Sequence, residues 1–218
     1  MNLIERSIKK NMPKVGIEPV RKQQLIEATL KSIEVNGFQG TTIVTISRLA
    51  GMSSGIISHY FGGKQGVIQA AVRHLLEQLQ QGLLTRLQSK PDITPMERLM
   101  MVVETNFSGF HQSSPASSTW LSFWGQAIHD QDLARLQRVN QRRLESNLMY
   151  SYRQLIADPV KAREATNMTA AMIDGMWLRS ILSAPDERDF REAERLCKEF
   201  IYLQAERAGM EWEGSKQA

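Results

Sequence analysis

Cysteine, histidine and aromatic residues are all scarce in this 218-residue sequence, and each scarcity removes a class of function. A lone cysteine, Cys197, forms neither an internal disulfide nor a cysteine-based zinc site. With four histidines, His74 and Glu77 make a metal-like pair one helical turn apart, a spacing that chance supplies readily, so no metal is expected. No apolar run approaches the ~18 residues of a membrane span, and the opening MNLIERSIKKN lacks the apolar stretch of a signal peptide. A cytoplasmic chain with no membrane partner is the expectation. An activated-cysteine setting, an H-x-x-x-H pair and a phosphate-cradling glycine loop are also missing, so neither an enzyme nor a cofactor is expected.

What is present is ordinary for a globular chain, with 42% hydrophobic and 23% charged residues. The net charge of +4 is unevenly spread. Residues 1–64 hold nine Lys/Arg and four acids, a net of +5, and the rest sums to −1. That division suggests a small basic unit, residues 1–64, that meets a polyanion, and a larger unit, 65–218, with another task. A flexible basic arm would produce the same count.

Periodicity is helical nearly throughout, and no segment alternates as a half-buried strand does, so the expected class is all-α. Leu25, Ile26, Leu30 and Ile33 make one stripe that ends at Asn36-Gly37. Thr41-Thr42 caps a second helix of about three turns, ended by Gly51, and Ser53 and Ser54 can cap a third, Gly55 to Phe61. After Gly62-Gly63 a long helix runs from Lys64 to Leu87. Thr94-Pro95-Met96-Glu97 is a capping box that opens the stripe Leu99, Met100, Val103, Phe107, Phe110. The Ser/Pro cluster His111 to Ser118 reads as a loop, with helices following over Trp120–Ile128, Asp132–Leu155, Pro159–Leu182 and Pro185 to about Ala208.

Two short helices joined by a tight turn, after a longer one, form the arrangement in which the second short helix lies in a DNA major groove. Ile57 and Phe61, four apart, would anchor inward, leaving Ser54, Gly55, Ser58 and His59 outward, with Ser53 ahead of them a further DNA-contact candidate. Small outward residues allow close approach to base edges, to which Ser and His donate. Tyr60, Lys64 and Thr42, the last at a helix N-terminus, are placed for phosphates, and Arg48 is a further DNA-contact candidate. A plain helical hairpin with Tyr60-Phe61 in its core has the same spacing.

Gly37-Phe38, Thr42-Ile43, Ile46, Ser53, Gly55, Ile57-Ser58-His59-Tyr60-Phe61, Lys64 and Val67 together resemble the helix-turn-helix signature of TetR-family repressors. Met52 and Gly63 depart from the pattern, the first where a smaller aliphatic is usual and the second where a capping residue is usual. Further stretches extend the likeness: Met12-Pro13-Lys14-Val15-Gly16, Trp120-Leu121-Ser122-Phe123-Trp124, Arg142 to Leu148 and Ile173-Asp174-Gly175-Met176-Trp177-Leu178-Arg179 resemble the BetI-type branch of the family. The resemblance implies double-stranded operator DNA and choline as partners, and repression of choline uptake and betaine synthesis relieved by choline. It also implies a homodimer formed by the last two helices; members of the branch usually begin at the equivalent of Met12, so residues 1–11 are either an extension or a mis-chosen start, and residues 12–64 alone still carry +3. A repressor of an efflux pump that senses varied organic cations is the other reading.

Choline is a quaternary ammonium, held by aromatic faces and often by a carboxylate. Trp120, Phe123 and Trp124 share one helical face, with Phe107 and Phe110 on the preceding helix and Trp177 on a later one. These are cage candidates, although such stripes also fill cores. Asp174, inside the apolar run Ala170 to Leu178, needs a cation, either the ligand or an Arg such as Arg179. Asn106 and Glu104 are further polar candidates, Asn106 for the choline hydroxyl. Arg142-Arg143 and the run Asp186 to Glu199 read as solvated faces.

Overall fold

The computed structural model describes residues 17–109, 113–183 and 187–207, and every regular element among them is a helix. In chain order they are α1 (Ile17–Gly40), α2 (Ile43–Ala50), α3 (Gly55–Phe61), α4 (Lys64–Gln88), α5 (Pro95–Asn106), α6 (Ser114–Ala127), α7 (Gln131–Leu155), α8 (Pro159–Leu182) and α9 (Glu187–Arg207). The sequence features at residues 1–16, Phe110, Pro185 and Ala208 lie outside the described residues. The chain divides into two compact units, Met1–Ala71 and Val72–Ala218.

The first unit is built around Leu25, Ala28, Ile46, Ile57 and Val67, with Ile43, Ala50, Met52, Ile56, Tyr60 and Phe61 packed against them. Each fully buried Leu or Ile contributes about 2 kcal/mol, and Val67 explains why this unit reaches past Lys64: the opening turns of α4 complete its core. Met52, unusual in sequence, is one of the core-packing side chains. Thr42 starts α2 by accepting from Thr45 N at 3.1 Å while Thr45 Oγ1 accepts from Thr42 N at 2.8 Å. Thr41 is buried instead, tied to Ser32 at 3.2 Å. α2 runs from the Thr42 cap to the expected stop at Gly51, which closes it at φ 64, and its eight residues make just over two turns where three were expected.

In the second unit, capping again sets the starts. Thr94 and Glu97 cap α5 reciprocally, Asp130 accepts from Leu133 N at 2.9 Å, and Asp158 from Val160 N at 2.8 Å. The start of α7 therefore falls at Gln131, one residue before the expected Asp132. The expected loop over 111–118 is helical from Ser114 onward. Pro115 sits in the first turn, where its missing N–H has no partner to lose, and Thr119 donates back to its carbonyl at 2.8 Å. The core joins Leu99, Val102 and Val103 of α5, Leu148 and Tyr152 of α7, Ile173 and Trp177 of α8, and Phe190, Cys197 and Ile201 of α9. Tyr152 shares a 2.7 Å hydrogen bond with Thr169, and burial pushes its phenol up to about 12. Cys197 is likewise buried with its thiol pushed up to about 12, so it packs as a small apolar residue.

Candidate functional site

The α2–α3 pair presents two surfaces of different chemistry. Ile57 is fully buried, Ile56, Tyr60 and Phe61 are partly so, and Ser53, Ser54, Gly55, Ser58 and His59 are exposed. The expected inward pair is present, joined by Ile56, which alternation along the helix did not single out. Ser54 stands at the N-cap position of α3 but its side chain makes no capping hydrogen bond, which leaves the hydroxyl facing outward. Around this surface Arg48 is exposed in the last turn of α2, Lys22 Nζ lies 5.6 Å from the Tyr60 ring, and Lys64 Nζ lies 5.8 Å from the Phe38 ring. The exposed side is polar and cationic, with small residues where a close approach needs them.

Glycine geometry holds the turns. Gly62 at φ 73 and Gly63 at φ 131 reverse the chain between α3 and α4, conformations that an L side chain adopts only under strain. Gly63 thus stands where a capping residue was expected because the backbone there requires glycine. Gly51, Ser53 and Gly55 also spell Gly-x-Ser-x-Gly, but that nucleophile turn follows a β-strand, whereas α2 precedes this one.

In the second unit, one cavity of about 30 Å³ is walled by Trp120, Trp124, Trp177, Asp174, Asn106, Asn140, Leu79 and Ile173. Three of these indoles meet one another: Trp124 and Trp177 at 5.4 Å between ring centroids and Trp120 and Trp177 at 6.4 Å, both edge-on, and Trp120 and Trp124 at 6.3 Å. α6 supplies two of them one turn apart, and α8 carries Trp177 one turn after Asp174. Trp124 Nε1 is buried without a hydrogen-bond partner among the described residues. Burial pushes the Asp174 carboxyl up to about 6, and the negative Glu145 adds to the rise. Arg179 is exposed, and among the described residues no cation pairs with Asp174. Asn106 donates from Nδ2 to Val102 O at 2.9 Å, which leaves its Oδ1 as an acceptor at the wall.

The other expected site residues fall elsewhere. Phe123 is buried behind Trp120 at 5.7 Å and Phe107 is buried at the end of α5, and neither walls the cavity. Phe123 backs the Trp120 wall from behind. Glu104 is committed to Arg86 at 3.1 Å and Lys198 at 2.7 Å, which ties α4 and α9 to α5. Asn140 of α7 and Leu79 of α4 were not anticipated, since nothing local marks either as different from its neighbours.

Family models match twice: that of the bacterial regulatory proteins of the tetR family over residues 25–71, and that of the BetI-type transcriptional repressor C-terminal region over 95–205. The chain belongs to the TetR family. This TetR-family regulator is 44% identical over 194 residues to the HTH-type transcriptional regulator BetI of Pseudomonas fluorescens, with 88% of this chain and 97% of the relative covered. It is 46% identical to the BetI regulator of Proteus mirabilis, with 88% and 96% covered. A transcriptional regulator from Saccharomonospora viridis, solved in complex with choline, shares the fold at a TM-score of 0.72 and 18% identity, with 84% of this chain and 96% of that one covered. The regulator is not an enzyme, and no helix among its described residues is long and apolar enough to cross a membrane.

Proposed function

We propose that this regulator represses the genes of choline uptake and of choline oxidation to glycine betaine, and that choline relieves the repression. One observation carries the reading: three indoles in mutual contact and a carboxylate that has no cationic partner among the described residues wall a single cavity. A quaternary ammonium offers no N–H donor, so its recognition rests on aromatic faces and negative charge, the two groups gathered here. The BetI name of the relatives and the choline complex of the Saccharomonospora viridis protein support the same ligand. A space of about 30 Å³ suits one or two waters, so choline enters by moving side chains apart.

On the DNA side, Ser53, Ser54, Gly55, Ser58 and His59 face base edges, while Thr42, Arg48, Tyr60 and Lys64 meet phosphates. Two copies read half-sites about 34–36 Å apart, or a multiple of that. They pair through α8 and α9. Met168, Ala171, Gly175 and Leu182 lie on one exposed face of α8, and Leu203 is exposed on α9. Coupling runs along α4, an unbroken helix from Lys64 to Gln88 that carries Leu79 of the cavity wall. Choline releases DNA to the extent that it binds one setting of this helix better than the other.

Calorimetry with choline, glycine betaine and a large lipophilic cation tests the ligand. Choline should bind most tightly. Preference for the lipophilic cation would make the protein a regulator of efflux, and no binding of choline would overturn the reading.

A further inference from the structure

A second cavity, of about 180 Å³, is walled by α4, α5 and α7, and Leu79, Asn106 and Asn140 wall it and the tryptophan cavity alike. These three residues form the partition between the two. Beyond it the character changes. Leu76, Leu83, Leu84, Val102 and Leu144 supply an apolar surface, with Gln80 and Arg143 among the polar residues on its walls. Two other polar residues there are already engaged: Thr105 donates to Met101 O at 2.8 Å, and the Asn147 amide accepts from Arg98 at 2.8 Å and donates to Arg143 O at 2.9 Å.

Choline ends in a hydroxyl, which Asn106 and Asn140 can satisfy at the partition. The leucine-lined space behind them has no counterpart in that ligand. We infer that the second cavity receives a short acyl arm carried by the same quaternary ammonium, so that choline esters of short-chain carboxylic acids are effectors of this regulator. The ammonium sits among Trp120, Trp124 and Trp177 beside Asp174, and the ester group lies at Asn106 and Asn140. The chain beyond then replaces water against Leu83, Val102 and Leu144. Arg143 is exposed, so its charge stays hydrated and does not require an anionic arm. This inference rests on the reading of the tryptophan cavity as an ammonium site.

The test is isothermal calorimetry of choline, acetylcholine, propionylcholine and butyrylcholine with the full chain. Burying each added methylene should tighten binding up to about four-fold. Leu144→Phe, which puts a ring into the second cavity and narrows it, should reduce the dependence on chain length and leave choline binding within about two-fold. Leu84→Phe, at a half-exposed position on the same wall, serves if Leu144→Phe does not fold. Choline binding together with esters that bind no tighter as they lengthen overturns this inference and leaves the choline reading standing. Chain-length dependence that is undiminished in a folded variant with the narrowed cavity also overturns it. Failure of choline and all the esters to bind overturns both.

Discussion

Asp174 carries the clearest single-residue consequences. Its carboxyl titrates near 6 instead of at 3.8 because burial and Glu145 disfavour the anion. Only the anion attracts an ammonium, so choline affinity should be constant above pH 7 and fall as pH drops through about 6, with proton release on binding near that pH. Asp174→Asn should weaken choline about ten-fold, or ~1.4 kcal/mol, and flatten the pH profile, as calorimetry between pH 5 and 8 will register. The sign for stability is opposite. A carboxyl whose folded pKa lies above its unfolded one costs stability at neutral pH, a cost that disappears below about 4. The same substitution should therefore raise the melting temperature at pH 7, the pattern of a group kept for function. Trp177→Ala removes one indole of the three and should weaken choline by about ten-fold or more with operator binding retained. Asp174 and the tryptophans were legible in the sequence because an acid in an apolar run and clustered tryptophans in an aromatic-poor chain are conspicuous where they stand. Asn140 and Leu79 were not, since their role exists only once α4, α5, α6, α7 and α8 converge. Glu104 was misread for the same reason: its partner Lys198 is 94 residues away.

At the scale of elements, the turn from α3 into α4 is the least tolerant point. A Cβ on Gly66 would lie 1.8 Å from the Phe61 carbonyl oxygen, a backbone atom that cannot yield without moving the end of α3. Gly66→Ala should abolish operator binding while choline still binds the second unit, a separation that mobility shift and calorimetry on one preparation will reveal. Thr42→Ala removes half of the α2 capping box and should cost about 1 kcal/mol, seen as a modest loss of thermal stability. Helix starts were largely legible because caps are local, written within four residues of sequence. α6 was the exception. Its Ser/Pro opening has the composition of a loop, and what makes it helical is Pro115 in a first turn whose other side buries Ala116, Ser117 and Thr119.

At the scale of the molecule, the account requires two copies. Gly175 faces open space within one protomer: beyond its own stretch of helix, no atom of the described residues lies within 4 Å of where a Cβ would stand. Gly175→Glu should therefore leave each protomer folded and prevent pairing across α8, so sedimentation should show a monomer and operator affinity should collapse. A dimer that persists would place the interface elsewhere. The charge of the sequence follows this division only in part, since residues 1–16 carry +3 of the +5 of residues 1–64 and residues 17–64, with the helix-turn-helix, carry +2, while the nearly neutral remainder holds the cavity and the pairing helices. The central claim joins both units and is tested most directly by titrating choline into the complex of this protein with operator DNA and following fluorescence anisotropy of the DNA. The account predicts that saturating choline lowers operator affinity in the wild type, with Asp174→Asn needing about ten times more choline for the same effect. Operator binding unchanged at choline concentrations that saturate the protein by calorimetry would contradict it.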